Sequence, residues 1–135
     1  LNVASILAAN PDFEVIIAGG YVRSRDRGVI GEATIDFVNQ FKVDFAIVGI
    51  SGIDQDGTML DYDYREVRVA QAIIKNAREV LLVADHSKFE RTPMVRLGHI
   101  SEVDHLFTDQ PITEGLVQTL QENDVQLHVA DADAD

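Results

Sequence analysis

Three apolar runs, each closed by glycines or a polar cluster, constrain this chain more than any other feature. They are "EVIIAGG" (Glu14 to Gly20), "DFAIVGI" (Asp44 to Ile50) and "EVLLVAD" (Glu79 to Asp85). None alternates apolar with polar residues. A strand that is apolar at successive positions has both faces covered, the mark of a parallel sheet between layers of helices. The intervening segments carry a helical period. "EATIDFVNQF" places Ala33, Phe37, Val38 and Phe41 on one face. A longer helix follows, capped by Asp63 with Glu66 as the partner in a capping box. Val67, Ala70, Ile74 and Ala77 line its inner face.

The remaining elements follow the same alternation. "LNVASILAAN" predicts a helix with Val3, Ile6 and Leu7 on one side, stopped by Asn10 and Pro11. "YVRSRDRGVIG" predicts a polar loop, and "SGIDQDG" a loop of turn formers. An irregular segment is expected from His86 to about Glu102. "VDHLFTD" (Val103 to Asp109) predicts a fourth strand. Pro111 suits the first turn of a last helix in which Leu116, Val117 and Leu120 face inward. "VQLHVA" (Val125 to Ala130) alternates and predicts an edge strand. The tail "DADAD" (Asp131 to Asp135) reads as a solvated, disordered end.

Composition narrows the function. With 46% apolar and 25% charged residues over 135 positions, the chain can build one cored domain. Cysteine is absent, which removes disulfides and thiolate metal sites and fits a cytoplasmic location. No apolar run approaches the ~20 residues of a membrane span. A net charge of −12 repels nucleic acid, and the basic run Arg23 to Arg27 is broken by Asp26. By itself this chain is not expected to bind DNA.

Ligands of open parallel sheets bind beyond the carboxyl ends of the strands. Those ends hold Gly19, Gly20 and Arg23 after the first run, Gly52 and Asp54 after the second, Asp85 and Lys88 after the third, and Thr108–Asp109 at the fourth strand. Glu66 opens the long helix. Glycines admit a ligand to the backbone, cations suit phosphate, and carboxylates accept hydrogen bonds from hydroxyls. Together they predict a pocket for a small phosphorylated polyol. Singly, each has a plainer meaning: a turn for Gly19–Gly20, a cap for Asp85 and Glu66, a surface lysine for Lys88. The four histidines lack metal-ligand spacing, and Ser87 lacks the partners of a nucleophilic triad. No metal and no cofactor is expected.

Five stretches in order, "AGGYVRSRD", "FAIVGISGIDQDGTML", "YREVRVAQAII", "VADHSKF" and "VDHLFTD", resemble the effector-sensing domain of DeoR-type bacterial transcriptional repressors. "RSRDRGVIGEATIDF" and "LDYDYREVR" look most like the branch that governs glycerol 3-phosphate metabolism. The resemblance implies a sensor of glycerol 3-phosphate in a cytoplasmic homo-oligomer, not an enzyme and not at a membrane. Operator DNA would be read by a winged helix-turn-helix outside this chain. Residues 1–130 would be a partial sensing domain, lacking its first strand and loop. The implied fold is a parallel-sheet α/β/α sandwich similar to ribose-5-phosphate isomerase. That likeness raises the alternative of an aldose–ketose isomerase. Asp85, Ser87 and Lys88 match the isomerase's Asp-x-Ser-Lys stretch, and Glu66 falls near its catalytic Glu. Its paired acidic motif is reduced to Asp54, and "GTMLDYD" has no Gly-rich loop bearing a lysine. The expectation is a retained pocket with lost chemistry, in which Arg23 and Lys88 hold phosphate and Asp54, Glu66 and Asp85 hold hydroxyls.

Overall fold

A parallel sheet in the order β3-β6-β8-β9 carries the fold. Its strands are β3 (Val43–Val48), β6 (Ala77–Val83), β8 (His105–Thr108) and β9 (Gln126–Val129). The computed structural model describes residues 1–130, so the acidic tail expected at 131–135 lies outside the described residues. Helices α1 (Asn2–Ala8), α2 (Glu32–Val38), α3 (Tyr64–Lys75) and α4 (Glu114–Glu122) complete the α/β alternation. None of them is long and apolar enough to cross a membrane.

The sheet grows in one direction along the chain. Right-handed crossovers then all fall on one face. Burial agrees, because Ala46, Val48, Val80, Leu82 and Leu106 are buried while their neighbours Phe45 (61% exposed), Ile47 (70%) and Val83 (51%) are not. The buried set joins Val67 and Ile74 of α3 and Leu116 and Leu120 of α4 in one core. The expected parallel α/β sheet is present. Among the described residues α3 and α4 cover one face of it, and Phe45, Ile47 and Val83 of the other face are exposed.

Four local expectations change. Glu14 to Gly20 forms no strand, and Ile16 and Ile17 are exposed. An apolar run becomes a strand only when a neighbour takes its backbone hydrogen bonds, and none does so among the described residues. "YVRSRDRGVIG" is not a plain loop but a hairpin, β1 (Tyr21–Val22) against β2 (Val29–Ile30). "SGIDQDG", the residues just after it and the irregular segment together supply an antiparallel sheet, β4 (Gly52–Ile53), β5 (Thr58–Asp61) and β7 (Val95–His99). Short 3-10 turns at His86–Glu90 and Ile100–Glu102 flank β7. Pro111 lies ahead of α4, because Thr113 caps it by accepting the Leu116 N–H at 3.3 Å.

The caps place the site. Asp63 caps α3 as expected, accepting the Arg65 N–H at 2.8 Å. Glu66 does not close a capping box; its carboxylate turns to Arg23.

Candidate functional site

The carboxyl ends of β3 and β6 lie side by side, with the Gly49 Cβ position 3.9 Å from the Val83 carbonyl. Polar side chains gather in two groups along this edge. Arg23 centres the first. It follows β1, is 12% exposed, and meets three carboxylates. Nη1 donates to Asp63 Oδ2 at 2.7 Å, Nη2 to Glu66 Oε2 at 2.7 Å, and Nε to Asp26 Oδ1 at 3.1 Å. A further bond runs from Nη2 to Asp26 Oδ2. Four hydrogen bonds thus draw on a group with five N–H donors. Asp26, then Glu66 and Asp63, hold the guanidinium charged against its burial. Asp26 in return lies far below the usual carboxylate range, through Arg23 first and the Gly28 N–H second. Burial pushes the Asp63 carboxyl up, but the Arg65 N–H and Arg23 outweigh it, and the balance is downward.

Beside Arg23 lies a cavity of about 170 Å³, lined among others by Gly49, Asp61, Glu66 and Leu97. Asp61 is 4% exposed. Its Oδ1 accepts from Ser51 Oγ at 3.1 Å and from the Tyr62 N–H at 2.7 Å. Among the described residues no protein donor reaches its Oδ2. Because Asp61 lines the cavity, a ligand or water there can supply that donor.

The second group sits where β6 and β8 end. Asp85 accepts from the Ser87 N–H at 2.9 Å, from Ser87 Oγ, and from Lys88 Nζ at 3.1 Å. Ser87 first and Lys88 after it press the Asp85 carboxyl well below its usual range. His86 reaches across to Asp109, through its backbone N–H to Oδ1 and through Nδ1 to Oδ2 at 2.8 Å. Asp109 raises the imidazole pKa, and His86 lowers that of the carboxyl. A shallow cavity of about 260 Å³ adjoins them, lined by Ala84, Asp85, Phe107, Thr108, Asp109 and others.

The eight residues proposed from sequence therefore separate. Arg23 and Glu66 meet at the first cavity, and Asp85 and Lys88 meet in the second group. Gly52 is buried in β4, where a Cβ would lie 2.5 Å from the Arg91 carbonyl, so protein and not ligand fills the space. Gly20, at φ +144°, faces Thr34 and the Ile30 carbonyl in the same way. Gly19 is open, its carbonyl accepting from Thr34 Oγ1 at 2.6 Å. Asp54 sits near the tip of the β4–β5 hairpin, which Gln55 ties to Thr113 at the start of α4. It lines neither cavity. Sequence reasoning named Thr108–Asp109 as a strand end, but put neither Asp109 nor Asp61 and His86 among its candidate ligand contacts. The available signal was three acids, Asp61, Asp63 and Glu66, where a strand runs into a helix.

Known proteins share this arrangement of sequence. The chain is 54% identical over 129 residues to the glycerol-3-phosphate regulon repressor of Escherichia coli (strain K12), covering 96% of this chain and 51% of that protein. The repressor of the same name from Haemophilus influenzae is 53% identical over 127 residues, covering 94% of this chain and 49% of its own length. The HTH-type transcriptional repressor CsqR of E. coli is 36% identical over 134 residues, covering 99% and 51%. The chain spans about half the length of these relatives. The family model described as the DeoR C terminal sensor domain matches residues 1–110, and the chain belongs to that family.

Proposed function

We propose that this chain is the sensing unit of a transcriptional repressor of glycerol 3-phosphate metabolism, with a phosphorylated polyol, glycerol 3-phosphate, as its effector. The observation that carries the proposal is the 54% identity, across 96% of the chain, to a glycerol-3-phosphate regulon repressor. The chemistry of the strand ends supports it. Asp61 and Glu66 border the first cavity and can accept hydrogen bonds from ligand hydroxyls. Lys88 retains N–H donors for phosphate after its single bond to Asp85. Arg23, with four of its five N–H groups engaged, acts as the brace that aims Glu66 and Asp63. Asp54 moves from ligand contact to a part in the hairpin that backs the site.

The effector would act by population shift. It must bind one state of a homo-oligomer more tightly than another, since equal affinity shifts nothing. Coupling of about 1–3 kcal/mol suffices for such a switch. Operator contacts would come from a part of the protein outside this chain.

Titration of the intact protein on operator DNA with glycerol 3-phosphate tests this directly. Release of the operator, with a rise in melting temperature and no turnover of the ligand, is the expected result. An operator complex indifferent to saturating glycerol 3-phosphate would sink the proposal. Interconversion of aldose and ketose phosphates by the same preparation would point instead to an isomerase.

A further inference from the structure

We infer that His86, aligned by Asp109, contacts the effector's phosphate beside Lys88. The inference rests on the phosphomonoester-sensor reading above and adds a specificity-determining residue to it. Arg23 gives four of its five N–H donors to Asp26, Asp63 and Glu66, so further phosphate donors are sought along the strand ends. His86 and Lys88 share one 3-10 turn at the carboxyl end of β6.

The imidazole is held in two ways. The His86 backbone N–H bonds Asp109 Oδ1 at 2.7 Å and its Nδ1 bonds Oδ2 at 2.8 Å, so the carboxylate fixes both the start of the turn and the ring. With Nδ1 engaged, Nε2 has no protein partner among the described residues. With Nδ1–H held on the carboxylate, Nε2 is an oriented acceptor in the neutral ring and an oriented donor in the imidazolium. The pair joins the ends of two neighbouring strands, β6 and β8, and His86 is half exposed where a ligand can reach it. Asp109 is a positioning residue here, since it acts through His86.

Charge sets the pH behaviour. Asp109 from the end of β8, and after it Asp85 and Glu90 of the same segment, favour the imidazolium, while the cation of the same turn, Lys88, is paired with Asp85 at 3.1 Å. A phosphomonoester becomes a dianion above about pH 6. Imidazolium and dianion therefore coexist near neutrality, and the pairing fades as His86 loses its proton at higher pH.

Calorimetric titration of the intact protein with glycerol 3-phosphate, from pH 6 to 9, tests the inference. His86→Gln is expected to weaken binding about tenfold at neutral pH, the scale of one hydrogen bond to a charged group, and to flatten the alkaline decline. Asp109→Asn should shift that decline to lower pH, and Asp109→Glu should restore it. Should a variant fail to fold, NMR titration of His86 in the parent protein still decides. Its pKa must rise when glycerol 3-phosphate is bound. A His86→Gln protein with parental affinity and pH profile, or an imidazole whose titration ignores the ligand, overturns the inference and leaves the sensor reading standing. A parent protein that binds no phosphomonoester overturns both.

Discussion

Asp61 shows how one carboxylate in a cavity wall can mark a site. Its Oδ1 is spent on Ser51 and on the chain entering α3, while Oδ2 lacks a protein donor among the described residues. Replacing Asp61 with Asn keeps an acceptor for those internal bonds and removes the charge. Stability should change by less than about 1 kcal/mol, while binding of glycerol 3-phosphate falls roughly tenfold to a hundredfold, as for a lost hydrogen bond to a charged acceptor. Denaturant midpoints and calorimetry on the same variant check both halves. A variant that unfolds more readily yet binds normally would place Asp61 in the scaffold alone. This acid stood in plain view within "LDYDYREVR". What hid it was that an aspartate before a helix ordinarily reads as a cap, and Asp63, two residues on, is the cap.

At the scale of elements, the chain divides by how far each signal reaches. α3 was legible because its apolar face and its cap lie within thirteen consecutive residues, Asp63 to Lys75. The β4-β5-β7 sheet was not. Its strands are two to five residues long and are interrupted by turn formers, so no period can develop. The hairpin it contains turns on Gly57, at φ +91°, where a Cβ would lie 2.6 Å from Ile100. Gly57→Ala should therefore cost more than about 1 kcal/mol, through both the backbone and the contact with Ile100. The loss should appear as a lower urea midpoint with an unchanged slope. Wild-type stability in that variant would mean the tip can rearrange freely. The last helix was placed one turn early for a comparable reason: Pro111 tolerates a first turn, but the Thr113 hydroxyl satisfies an N–H that proline cannot.

Across the whole molecule, protection should follow the order of the sheet. β6 and β8 each have a strand on both sides, whereas the β1–β2 hairpin holds two residue pairs with no further strand beside it. Amide hydrogen exchange is expected to be slowest in β6 and β8 and fastest in the hairpin and α1. A hairpin as protected as β6 would contradict this order. By itself the sequence determined the parallel α/β character, the four helices, the strands β3, β6, β8 and β9, and a polar strand-end edge. All of these arise from short-range periodicity and from which residues begin and end a run. Only the tertiary structure decided that Arg23 faces Asp63 and Glu66, 40 and 43 residues away, and spends four of its five N–H donors on carboxylates. It also decided that Glu14 to Gly20, the most apolar-looking opening strand, pairs with nothing among the described residues. Apolar patterning records how much a segment gains by burial. Which partner buries it, and which charge meets which, depends on distances through space that no local pattern contains.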